Sequence, residues 1–163
     1  MANLENIEIT GDIQTIIGQI AETYKNAIRN ANAVATSNML NFKYYPEING
    51  KWFEVIFEMP KSKNGFPYWR VVENGRKGGK MPPLNAIEEW IKIKPVVPRT
   101  SGKKVPSTKQ LAFLIARSIG EKGIKPKNLL SNALNESDGL INQLAYLIAS
   151  EIEKSITEDI NTL

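Results

Sequence analysis

The chain has 163 residues, enough for one domain with a real core and too few for two large ones. Its 42% hydrophobic and 23% charged residues make an ordinary globular composition. It holds no Cys and no His, which excludes disulfides, thiolate nucleophiles, Cys metal sites, the commonest general base and the commonest transition-metal ligand.

The net charge of +4 is unevenly spread. Residues 61–80 carry six cations and one anion, residues 92–127 ten cations and one anion, and residues 136–163 one cation and six anions. A basic middle with an acidic end suits a polyanionic partner, or head-to-tail packing between copies of the chain. No run approaches the ~20 apolar residues of a membrane span. The first residues, MANLENIEIT, have neither the basic nor the apolar region of a signal peptide.

In chain order, residues 12–40 are predicted as a long helix. Ile13, Ile16, Ile17, Ile20, Tyr24, Ala27, Ile28 and Ala31 follow the spacing of one apolar face, and Asp12 is the expected N-cap. Residues 41–47 read as a weak strand, with Pro46 at its end or on an edge. Asn49-Gly50 is a hairpin signal, and residues 51–59 then alternate, with Phe53, Val55, Phe57 and Met59 on one face. Residues 66–73 are expected as a third strand running into a basic glycine loop, 74–82. A proline-started helix follows over 83–94, with Leu84, Ile87, Trp90 and Ile91 on one side.

Residues 95–106, with three prolines and three cations, are expected to be a flexible basic linker. The rest, 107–160, is helical. Ser107 and Gln110 form a capping box, Gly123 ends that helix, Pro126 opens a short helix through Leu134, and Ser137 caps a last one over 139–158. The predicted fold is α+β over a single domain, 1–163. A small antiparallel sheet of three or four strands lies under the long first helix and two or three further helices.

Few residues invite chemistry. Gly75, Gly79 and Lys80 miss the P-loop spacing by one residue, and Met81 stands where Ser or Thr is needed. Glu54 and Glu58 share a strand face and Glu88 and Glu89 adjoin on a helix, but nothing converges on either pair, so both read as surface charge. Trp90 reads as a core anchor on its helix stripe. No catalytic, cofactor-binding or metal-binding residue is predicted. The glycine loop, with Arg76, Lys77 and Lys80 beside Gly75, Gly78 and Gly79, reads as a contact site. The expected interface set is Glu73, Gly75, Arg76, Lys77, Gly78, Gly79, Lys80, Arg99, Lys103 and Lys104. Glu151 and Glu153 of the acidic last helix are a candidate receiver for the loop.

Two stretches carry a family resemblance: VENGRKGGKMPPLNAIEEWIKIK (72–94) and QLAFLIARSIGEKGIKP (110–126). With the preceding helix and strands, the chain resembles the small virion proteins of tailed phages that join head to tail or complete the tail, described as minor tail, neck or tail-completion proteins. Where that family carries an aromatic-rich segment after Lys-Pro, this chain has KNLLSNAL. The resemblance implies a non-enzymatic structural protein without cofactors, in the virion and, during assembly, in the host cytoplasm. It implies a six- or twelve-fold homo-oligomeric ring around a channel that DNA crosses. The ring would abut portal, adaptor or tail proteins, with only sequence-independent contact to genomic DNA and none to a membrane. The alternative reading is a small monomeric or dimeric nucleic-acid-binding protein that uses the basic middle.

Overall fold

The computed structural model describes residues 8–31, 37–49, 52–61, 65–94, 96 and 105–161. Its first helix, α1 (Gly11–Asn30), buries Ile13, Ile16, Ile17, Ile20, Ala21, Tyr24 and Ile28 along one stripe. β-Branched residues are poor helix formers, so burial rather than intrinsic preference holds this helix. Thr10, not Asp12, is its N-cap: the Ile13 backbone N–H donates to Thr10 Oγ1 at 3.4 Å. Asp12 lies in the first turn, where a carboxylate faces the positive end of the helix. The helix stops at Asn30, short of the expected residue 40, where the large apolar side chains run out. A 3-10 turn at Ser37–Leu40 then brings Met39 into the core.

Strands β1 (Lys43–Asn49) and β2 (Trp52–Glu58) pair antiparallel, with Lys43 opposite Glu58 and Asn49 opposite Trp52. That register leaves two residues, 50 and 51, between the strands, so Asn49 ends β1 as a paired residue rather than forming the turn centre with Gly50, one residue on from where the Asn-Gly signal puts the turn. Phe53, Val55 and Phe57 turn toward the core, while Trp52 is 71% exposed. Pro46 sits mid-strand opposite Val55, and it is tolerated because each strand of a two-stranded sheet has an open edge.

The third strand is absent among the described residues. Its sequence forms a helix, α2 (Tyr68–Asn74), so the sheet has two strands rather than three or four. The reason is visible in burial. Val72 and Glu73 are both buried, and Trp69 packs against the same cluster. A strand would send neighbours 72 and 73 to opposite faces, whereas a helix keeps 69, 72 and 73 on one side. Packing overrides the β preference of YWRVV.

The remaining elements are α3 (Leu84–Ile93), α4 (Thr108–Lys122), α5 (Leu129–Glu136) and α6 (Asp138–Asn161). The Ser107–Gln110 capping box closes as expected: the Gln110 N–H donates to Ser107 Oγ at 3.3 Å, and the Ser107 N–H to Gln110 Oε1 at 2.9 Å. The short helix α5 starts at Leu129 rather than at Pro126. The N–H groups of Lys127 and Asn128 are directed to the Val72 and Glu73 carbonyls, at 2.9 and 3.2 Å. Ser137 caps α6 through its backbone alone. Its carbonyl accepts from the Ile141 N–H at 2.9 Å, and its buried hydroxyl has no partner.

The core runs along α1 in two clusters. Ile13, Ile16, Ile17 and Ile20 meet Leu144 of α6 in one, and Ala21, Tyr24 and Ile28 meet Met39, Phe42, Val72, Leu129 and Ala133 in the other. Tyr24, Phe42 and Phe57 form an aromatic knot, with ring centroids 5.3, 5.7 and 6.2 Å apart. Helices α3 and α4 pack on one another. Ile91 of α3 and Ala112 and Ala116 of α4 are buried, and the buried Gly120 backs onto Gly79 and Met81 of the loop. None of these four residues belongs to the α1 clusters, so the pair forms an arm with its own small core. No helix among the described residues is long and apolar enough to cross a membrane.

Cutting Ile17, 1% exposed, to Ala is expected to lower unfolding stability by about 2–4 kcal/mol. Trp52→Ala should leave the monomer within about 0.5 kcal/mol of its parent. Urea melts of the two variants beside the parent check both values.

Candidate functional site

The expected contact loop is half of a clasp inside the chain. Residues 75–79 lie backbone against backbone on residues 120–126, at the end of α4. Arg76 and Ile124 form an antiparallel bridge: the Arg76 N–H donates to the Ile124 carbonyl at 2.8 Å, and the Ile124 N–H returns a bond at 2.7 Å. The Gly79 N–H donates to the Gly120 carbonyl at 2.6 Å. Such approach leaves no room for side chains. Gly75 has φ 69°, and a Cβ there would lie 2.5 Å from the Ile124 carbonyl oxygen. Gly123 has φ 74°, and a Cβ would overlap the Arg76 carbonyl oxygen. Gly78 backs onto the Glu121 carbonyl in the same way.

The cations of the loop divide. Arg76 is half-buried, and its guanidinium donates to the Lys80 carbonyl, closing the loop on itself. Lys77 and Lys80 are exposed, and the bridge brings the exposed Lys122 and Lys125 to the same clasp. Among the described residues none of these four lysines forms an ion pair. The four pairs present are Lys25–Glu22, Arg29–Glu22, Arg117–Glu121 and Lys154–Glu151. Arg99, Lys103 and Lys104 lie outside the described residues, as does most of the expected linker over 95–106.

Glu73, expected at a contact surface, has its carboxylate bound inside the fold. It is 7% exposed. The Tyr24 hydroxyl donates to its Oε1 at 2.7 Å, and the Leu130 backbone N–H donates to its Oε2 at 3.1 Å. Leu130 is in the first turn of α5, so the charge rests against the positive end of that helix. The ammonium of Lys127 donates to the Ala31 carbonyl at 2.6 Å and ties the same corner to the end of α1. Burial, reinforced by the Glu73 carboxylate, raises the Tyr24 pKa well above its ordinary value of 10.0. A tyrosinate there would be desolvated and would face a second negative group.

Glu54, Glu58 and Glu89 are exposed and Glu88 is half-buried. Among the described residues no group of three or more acidic side chains could hold a metal ion. Trp90 is half-buried on the arm, and the anchor on its helix is Ile91. Sequence reasoning missed Tyr24, Gly120, Gly123 and Leu130 as partners of the loop. One signal was present: Gly75 and Gly78 share the three-residue spacing of Gly120 and Gly123, as two crossing backbones need. Comparison with family models, curated proteins and solved structures finds no match for the chain.

Two tests follow from this geometry. Gly123→Ala should cost roughly 1–3 kcal/mol through backbone strain, with any shift of Arg76 adding to it. Gly139→Ala, where an added Cβ meets nothing within 4 Å, should be neutral or slightly stabilising. Denaturant melts of the two glycine variants give the comparison. For Tyr24, the folded chain holds its proton more tightly than the unfolded chain. Its contribution to stability is therefore complete below the ordinary value of 10.0 and is lost as the pH rises above it. Tyr24→Phe should flatten the alkaline fall of stability, read from melts between about pH 9 and pH 11.

Proposed function

We propose that the chain is a non-enzymatic structural protein of a tailed-phage virion, a ring-forming subunit at the head–tail junction that serves as neck, connector or tail completion. The observation that carries the reading is the clasp. The two stretches that bear the resemblance, 72–94 and 110–126, are separate in sequence and interlock in space through Arg76 and Ile124. They act as one unit, and that unit is the base of the arm. Exposed apolar side chains on the arm support the reading further: Leu84, Ile93, Val105, Phe113 and Leu114 are each at least 40% open. A monomer gains nothing from open Phe and Leu on a helix, whereas a subunit covers them in its assembly. The ring is six- or twelve-fold, and it abuts portal, adaptor or tail proteins.

The four unpaired lysines at the clasp fit a neighbouring subunit, or the phosphates of DNA passing through a channel. The latter contact is sequence-independent, since no helix among the described residues presents a row of base-reading side chains. Negative-stain images of the purified protein and of virion lysate are expected to show a cyclic particle, alone or on its partner. Duplex binding is expected to be weak at physiological salt and equal for two unrelated sequences. Tight binding that prefers one sequence, with no cyclic particle, would replace the ring by a dedicated nucleic-acid-binding protein.

A further inference from the structure

The two strands of the sheet differ at their open edges. Pro46 lies mid-strand opposite Val55 and has no N–H to give, so its nitrogen takes the open side of β1. Bonded and unbonded pairs alternate along an antiparallel ladder. The bonds from β2 to β1 therefore come from Trp52, Glu54, Ile56 and Glu58, and the N–H and C=O groups of Phe53, Val55 and Phe57 point to the open edge of β2. Among the described residues no other element runs along β2, and no backbone group outside the hairpin bonds these three residues. The proline blunts the edge of β1, whereas β2 carries no proline. The side chains of Phe53, Val55 and Phe57 face the core and yet stay half-buried, and Trp52 is 71% exposed on the outer face.

We infer that β2 pairs antiparallel with β2 of a second copy, joining two hairpins into one four-stranded sheet. A row of donors and acceptors at positions 53, 55 and 57 is its own complement when turned through 180°. Charge sets the register. Centred on Val55, the pairing sets Phe53 against Phe57, Glu54 against Ile56 and Trp52 against Glu58 of the second copy. The core faces then meet in an unbroken row of Phe and Val, and Trp52 reaches Ile56 of the second copy on the diagonal. A slip of two residues keeps backbone bonds but brings Glu54 against Glu54 or Glu58 of the second copy, and like charges directly opposed are destabilising. Neither carboxylate is neutralised within its own chain, since neither forms an ion pair among the described residues. A slip of one residue sets bonding positions against non-bonding ones and turns the core face outward.

Any extended segment could bond this backbone, but β2 itself also supplies an apolar partner for each of its core-facing positions. A two-fold contact closes after two copies, so it is not the contact that repeats around a ring. It stands on the hairpin alone and does not rest on the virion reading.

The chain has no cysteine, so introduced thiols report alone. Glu54→Cys and Ile56→Cys are prepared on separate chains, mixed and oxidised. In the inferred register positions 54 and 56 form an unbonded pair with Cα atoms about 4.5 Å apart, within disulfide reach, whereas 54 against 54 or 56 against 56 is a diagonal of about 7–8 Å. The mixed pair should give roughly tenfold more disulfide dimer than either variant alone, or than either mixed with Gln143→Cys, an exposed site on α6. A mixed yield at the control level overturns the inference, and so does a larger yield from either variant alone, which marks a slipped register. A second measurement reads charge at one position. Sedimentation should show a dimer that Ile56→Lys tightens roughly tenfold, since the new cation faces Glu54 of the second copy at two symmetric places, and that Ile56→Glu loosens by as much. Effects of the same sign from the two charges, or a parent chain that stays monomeric up to millimolar concentration, would also overturn the pairing.

Discussion

The fold depends on the placement of one carboxylate. Glu73 is buried with no cation paired to it among the described residues, and burying such a charge costs several kcal/mol unless its oxygens are bound. Both oxygens are bound, one by the Tyr24 hydroxyl of α1 and one by the Leu130 N–H of α5. These donors come from segments far apart in sequence, and only one arrangement of α1, α2 and α5 brings them together. Truncating Glu73 would leave a buried hydroxyl and a buried N–H without partners, at about 1–3 kcal/mol each. The same residue explains why β-prone sequence becomes helix, since Val72 and Glu73 must face one core.

From that corner the chain leaves along the loop and returns through residues 120–128, and both strokes are fixed. The Val72 and Glu73 carbonyls hold the N–H groups of Lys127 and Asn128, and Arg76 is bridged to Ile124. Helices α3 and α4 lie between these strokes, on an excursion closed at its base. Two kinds of packing result. The body is filled by large side chains, five isoleucines of α1 among them. On the arm the buried residues of α4 are small: Ala112 and Ala116, which bury little apolar area, and Gly120, which admits the loop at Gly79 and Met81. The clasp therefore supplies through backbone bonds what the arm's small core cannot supply through burial.

Legibility followed the range of the interaction. The stripe of α1, the Ser107–Gln110 box, the Gly123 stop and the β1–β2 hairpin are set by neighbours a few residues apart, and the sequence displays them. The helix α2 was misread because YWRVV favours a strand locally, and the deciding fact is a bond from residue 73 to residue 24. The start of α5 was misplaced for a related reason: two of its upstream N–H groups are taken by α2. In the loop, residue types were visible and their partner was not. Glycines that permit close approach say nothing about whose backbone approaches, and here it is the chain's own.

That last point separates stability from assembly. The glycines, Arg76 and Glu73 are engaged within the subunit, so substitutions there act on folding first and on any assembly only as a consequence. Lys77, Lys80, Lys122 and Lys125 form no ion pair among the described residues, and Phe113, Leu114 and Ile160 remain open. A surface group with no internal partner can be altered at little cost to the monomer. The clasp thus holds its cations and the arm in place without using them. A rigid frame that presents unpaired charge and uncovered apolar residues loses little conformational entropy when a partner covers them, which favours binding through preorganisation rather than through area alone.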